Sequence, residues 1–99
     1  MQDEFVIHIG IWGKRHYAYL KKHSPTVINV MRMNGTLEQY LKDIDKYAKE
    51  MFNKLVKQLA DSEGINEELK SANEIDWIRS MNSIRNRAEE IVLSEMIYN

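Results

Sequence analysis

The residues with the strongest chemical claim lie between Gly13 and His23, where Lys14, Arg15, Lys21 and Lys22 are interleaved with His16, Tyr17, Tyr19 and His23. Cations meet phosphates and aromatic rings stack on bases, so this mixture is a candidate nucleic-acid surface. The structural alternative is a solvated basic helix that turns Tyr17 and Leu20 toward a core. A second set recurs at helical spacing near the C-terminus: Arg79, Asn82, Asn86 and Glu89/Glu90, flanked by Arg85 and Arg87. A surface rich in fork-shaped donors suits a ligand or a protein partner. Alternatively, Arg85 and Arg87 pair with acids of the long helix that ends near Ser62-Glu63-Gly64, and Asn82 or Asn86 fixes the register of a helix contact. A third set is acidic, with Asp61, Glu63, Glu67, Glu68, Glu74 and Asp76 against Lys70. It could imitate phosphates in a basic groove, or simply cap helix starts.

Other chemistry is poorly supplied. His16 and His23 sit seven residues apart, about 10.5 Å along a helix, too far to share one ion. They read as surface histidines on a basic helix. The carboxylates Glu89-Glu90 and Asp43-x-Asp45 point apart at helical spacing. No Gly-rich phosphate loop or serine elbow is present, and there is no cysteine. The expectation is a protein that is not an enzyme and uses no cofactor and no metal.

These residues need elements to position them. Zero cysteine fits a reducing cytoplasm, and no apolar run approaches a membrane span, so a cytoplasmic protein without membrane contact is expected. Ninety-nine residues with 43% hydrophobic and 29% charged side chains suit one helix-rich domain, 1–99. The net charge of −1 hides an asymmetry: residues 1–35 carry five bases against two acids, and residues 36–99 carry nine against thirteen.

Glu4 to Trp12 alternates, with Phe5, Ile7, Ile9 and Ile11 opposed to Val6, His8, Gly10 and Trp12, which predicts an extended N-terminal arm over 1–12. Two short helices follow within 13–34. The first starts at Ile11 or Gly13 and stops before Ser24-Pro25. The second opens with Ser24 as cap and Pro25 as first residue, and ends at Asn34-Gly35. Its apolar content, from Thr26 to Met33, argues against a helix-turn-helix reader. Thr36 and Gln39 read as a capping box. Leu37, Leu41, Ile44, Ala48, Met51 and Leu55 then predict a long helix ending near Ser62-Glu63-Gly64. Asn66 is a cap for a short helix at 67–71 or a kinked start to the next, and Ser71-x-x-Glu74 reads as another box. Trp77, Met81, Ile84, Ala88 and Ile91 define the stripe of a last helix, widened by Ile78, Val92 and Met96. The expected fold is all-α: a bundle dominated by a long antiparallel helical hairpin over 36–98, with leftover apolar surface that invites a homodimer or a protein partner.

The run Asp76-Trp77, then Met81-Asn82-Ser83-Ile84-Arg85-Asn86-Arg87-Ala88-Glu89-Glu90-Ile91-Val92-Leu93, closing in Ile97-Tyr98, resembles the C-terminal signature of TnpV-like transposon-encoded proteins. Tyr19-Leu20-Lys21, Leu41, Ile44-Asp45 and Glu67-Glu68-Leu69-Lys70 extend the likeness over most of the chain. The resemblance implies a bacterial mobile genetic element and supplies no catalytic residue. In that context the leading expectation is a stoichiometric binding protein that inhibits a host nucleic-acid-handling complex such as a CRISPR–Cas effector. The alternative is a transposon accessory factor that touches DNA or RNA through Lys14, Arg15, Lys21 and Lys22.

Overall fold

A computed structural model describes residues 3–99, and every regular element among them is helical. A 3-10 turn, Glu4–His8, precedes α1 (Ile11–His23), α2 (Pro25–Asn34), α3 (Leu37–Ser62), α4 (Glu67–Ala72) and α5 (Glu74–Val92), and α5 runs on into a π-helical turn, Leu93–Ile97.

The alternation over Glu4–Trp12 does not become an extended arm, and Met1 and Gln2 of that expectation lie outside the described residues. A single strand would leave its backbone groups open. The 3-10 turn closes them locally, the Val6 N–H donating to the Asp3 carbonyl and the Ile9 N–H to that of Val6, each at 3.1 Å. Only Ile9 of the odd-numbered set is buried; Ile7 and Ile11 face solvent, while Phe5 and Val6 pack on the core.

The helix ends follow local chemistry. Pro25 supplies the preset φ of a first helical residue. Gly35 and Gly64, at φ 72° and 71°, take the left-handed conformation that closes α2 and follows α3. Neither expected capping box forms. Thr36 has near-helical backbone angles, and its hydroxyl donates to the Met31 carbonyl at 3.4 Å, while Gln39 donates to Asp43 at 2.8 Å. Ser71 lies inside α4, and Asn73 caps α5 by accepting the Asp76 N–H at 3.2 Å. Asn66 caps α4 as its type predicts, accepting the Leu69 N–H at 3.0 Å.

The 26-residue α3 is the spine. Toward its start, Leu37 and Leu41 join Ile9, Leu20 and Ile28 in one apolar cluster. Further along, Ala48 joins Trp12, Val92 and Ile97 in a second, with Ile44, Met51, Phe52 and Leu55 around it. Small residues at the contacts, Ala48 and Ala88, let the helix axes approach closely, and both are fully buried. Beyond Ser62, Arg87 of α5 makes a two-pronged pair with Glu63, at 2.7 and 2.9 Å. The molecule is elongated, 55 × 22 × 17 Å, with a radius of gyration of 17.1 Å against about 13 Å for a compact chain of this length. Helices α1 and α2 pack toward the start of α3, and α4 packs on α5 toward the other end. No helix among the described residues is long and apolar enough to cross a membrane.

Candidate nucleic-acid interface

Helix α1 is fixed by three contacts that sequence spacing could not reveal. At its start, the Asp45 carboxylate of α3 accepts the Gly13 N–H at 2.9 Å. An acid from a neighbouring helix thus takes the place of a local N-cap, at the positive end of the helix. The approach needs glycine: a Cβ on Gly10 would sit 2.5 Å from Asp45 Oδ2, and one on Gly13 would sit 2.3 Å from Ile9 Cγ2 and 3.0 Å from the Leu41 carbonyl oxygen. Next to it, Trp12 is buried against Phe52, with ring centroids 5.6 Å apart.

In the middle of α1, His16 is not a surface residue; it is 4% exposed. Its Nδ1 lies 2.8 Å from the Ile97 carbonyl oxygen and its Nε2 2.8 Å from the Tyr40 hydroxyl. A carbonyl only accepts, so Nδ1 carries a proton, and in that tautomer Nε2 is the acceptor for the Tyr40 hydroxyl. Burial raises the Tyr40 phenol above its ordinary range. Its partners stand 24 and 81 residues away in the chain, so spacing within α1 gives no sign of its burial.

The third contact comes from the C-terminus. The Tyr98 N–H donates to the Leu93 carbonyl at 2.8 Å, completing a π turn. The wider turn delivers the Ile97 carbonyl to His16 and sets the Tyr98 ring 5.5 Å from that of Tyr19. Single π turns of this kind recur at functional sites.

With Trp12, Gly13, His16 and Leu20 facing inward, the helical period turns Lys14, Arg15, Ala18, Lys21 and Lys22 outward together. Arg15 is half-buried, bonded to Glu89 of α5 at 2.8 Å and lying 5.4 Å above the Trp12 ring. Lys21 covers the Tyr17 ring at 5.3 Å. Tyr17 itself is committed: its hydroxyl donates to Asp3, which also receives Arg32. The Arg32 hydrogen bonds hold the Asp3 carboxyl below its usual range, and burial, with Asp3 beside it, pushes the Tyr17 phenol up. Lys14 and Lys22 are exposed and make no ion pair among the described residues. Beside this face an open groove of about 430 Å³ is lined by Arg15, Ala18, Tyr19, Lys22, His23 and Tyr98. Tyr19 and His23 stand 4.6 Å apart within it.

The α5 set is placed differently. Arg79, Asn82, Arg85 and Asn86 are all exposed, and none makes a hydrogen bond or ion pair among the described residues. Of the two arginines expected to pair with acids of the long helix, Arg87 pairs with Glu63, the C-cap residue of α3, and Arg85 makes no ion pair among the described residues. Arg85 lies one turn before Glu89, the residue that bonds Arg15 of α1, while Arg79 lies about 9 Å further from it along the axis. None of the four shares a hydrogen bond or ion pair with the α1 set among the described residues. Among the described residues no group of three His, Asp or Glu is placed to hold a metal ion.

Residues 1–97 match the protein family described as Transposon-encoded protein TnpV. No curated protein and no solved structure matches the chain.

Proposed function

The chain belongs to the transposon-encoded protein TnpV family, and from that premise we propose that it is a non-enzymatic accessory factor of its element that binds nucleic acid through α1. The observation that carries this reading is the single outward arc of Lys14, Arg15, Lys21 and Lys22, bordered by the exposed Tyr98 and the ring of Tyr19. Two acids beside that arc are already paired, Glu89 with Arg15 and Asp3 with Arg32 and Tyr17, so a phosphate that reaches Arg15 competes with Glu89, whereas Lys14 and Lys22 carry no ion pair among the described residues.

The test is a titration of labelled DNA and RNA oligonucleotides at two salt concentrations. If about four phosphates are neutralised, log K should fall with log salt with a slope of roughly −3. A variant with Lys14, Arg15, Lys21 and Lys22 all changed to alanine should lose both the affinity and the slope. Salt-insensitive binding, or binding that survives the four changes, would refute the assignment.

A second reading, a stoichiometric inhibitor of a host nucleic-acid-handling complex such as a CRISPR–Cas effector, is favoured by the exposed apolar residues Val27, Val30 and Met33 along α2. Three apolar side chains on one exposed helical stripe suit a protein partner or a second copy of the chain. A protein that ignores nucleic acid at low salt, and loses function when Val30 and Met33 become polar, would be of this kind.

A further inference from the structure

We infer that the groove between α1 and the C-terminal π turn holds one unstacked base of single-stranded DNA, lying against the Tyr98 ring, with Arg15 and Lys22 at the flanking phosphates. This rests on the nucleic-acid reading above and narrows it to a strand type. Among the tyrosine rings near α1, Tyr98 is the exposed one, and it shares the groove with the exposed His23 ring. It is 49% exposed and backed by Tyr19, 5.5 Å away. Tyr17, the ring the sequence suggested, is unavailable, since its hydroxyl serves Asp3 and Lys21 covers its face. Ala18 lies in the groove lining between Arg15 and Lys22 and has no side chain beyond Cβ to occupy the space.

The placement of charge fits a strand and not an isolated base. Two cations at one edge of an aromatic groove match the alternation of phosphate and base along a single strand. In a duplex the base faces are already stacked and cannot reach Tyr98. The lining contains no carboxylate or carboxamide, and its hydrogen-bonding groups, on Arg15, Lys22, His23 and the two tyrosines, suit a phosphate as well as a 2′-hydroxyl, so no group there is set aside for a ribose hydroxyl.

The experiment is fluorescence anisotropy with three end-labelled probes of one sequence: a single-stranded DNA, the corresponding DNA duplex and the RNA strand. It uses the full chain and two variants, Tyr98→Ala and Ala18→Gln, the second filling the groove from an exposed helix position that leaves the core untouched. The expected result is preference for single-stranded DNA over duplex. Each variant should weaken single-strand binding, with Tyr98→Ala losing about 5- to 150-fold, the range for one stacked base, while duplex binding stays within twofold. Tyr98→Phe, which keeps the ring, should bind as the parent does. Equal binding of single strand and duplex, unchanged by either variant, would overturn this inference and leave the α1 reading standing. Tighter binding of RNA than of DNA would overturn the strand assignment. Failure of every probe to bind at low salt would remove both readings together.

Discussion

The two ends of this molecule are held by different kinds of contact. At the α1 end, the anchoring interactions join residues far apart in sequence: Gly13 to Asp45, His16 to Tyr40 and Ile97, Arg15 to Glu89. At the α4 end they are mostly local. Asn66 and Asn73 cap the helices that they precede, and Lys70 lies over Trp77, seven residues on, at 4.8 Å. Ile75 and Ile78 are left in solvent there. Local contacts shape helices but bury little, whereas long-range contacts fix the orientation of one surface relative to another. The α1 end therefore has a defined outer face, and it is also the end that carries the basic arc of α1 and the aromatic groove.

The contrast is open to mutation. Leu41, fully buried in the cluster beneath α1, should cost about 2–5 kcal/mol when changed to alanine. Ile78→Ala, at a position 45% exposed, should stay within about 0.5 kcal/mol. Urea unfolding of both variants measures the difference, and equal losses would erase the distinction between the two ends. Gly13→Ala is a sharper probe because its sign is at stake. At an open helical site, alanine gains roughly 1 kcal/mol over glycine. Here the added Cβ meets buried Ile9 and the Leu41 backbone, and overpacking of ~1–3 kcal/mol outweighs that gain. A net loss is expected, and a stabilised variant would mean that the α1–α3 contact is looser than described.

The smallest effect is one of pH. A tyrosine in an unfolded chain ionises near pH 10. Burial raises Tyr40, and burial with Asp3 raises Tyr17, so both favour folding fully below about pH 10, and that contribution is lost as pH rises through the raised values. Asp3, lowered by Arg32, acts in the opposite sense. Its contribution is complete above the ordinary carboxylate range of about 4 and fades as pH falls through the lowered value. Trp12 fluorescence in a Trp77→Phe chain would follow urea midpoints across this span. The midpoint should be flat near neutrality and fall at both extremes, and Tyr40→Phe should blunt the alkaline fall.

What could be read from the sequence divides along the same line. The ends of α2 and α3, the Asn66 cap, the interrupted approach to the last helix and the stripe through Trp77, Met81, Ile84 and Ala88 were legible, because propensity, capping and the 3.6-residue period are local properties. The stripe shifts only at its end, where Val92 is buried and Ile91 is partly exposed. The 3-10 turn was not legible, because alternation of apolar residues signals a strand only where a partner strand exists. Neither was the role of Asp45, which looked like half of a carboxylate pair and is the cap of another helix. The four bases of α1 were identified from composition, but the groove beside them was not. Its far wall, Tyr98, stands 75 residues beyond His23 in the chain and arrives through a π turn that no pattern announces.

The most direct test of the claim that binding belongs to the α1 end is amide chemical-shift mapping of isotope-labelled protein, with an unlabelled single-stranded oligonucleotide added at low salt. Shifts should concentrate in residues 13–23 and 93–99 and leave residues 61–80 unmoved. Shifts concentrated in 61–80, or none anywhere, would contradict the account.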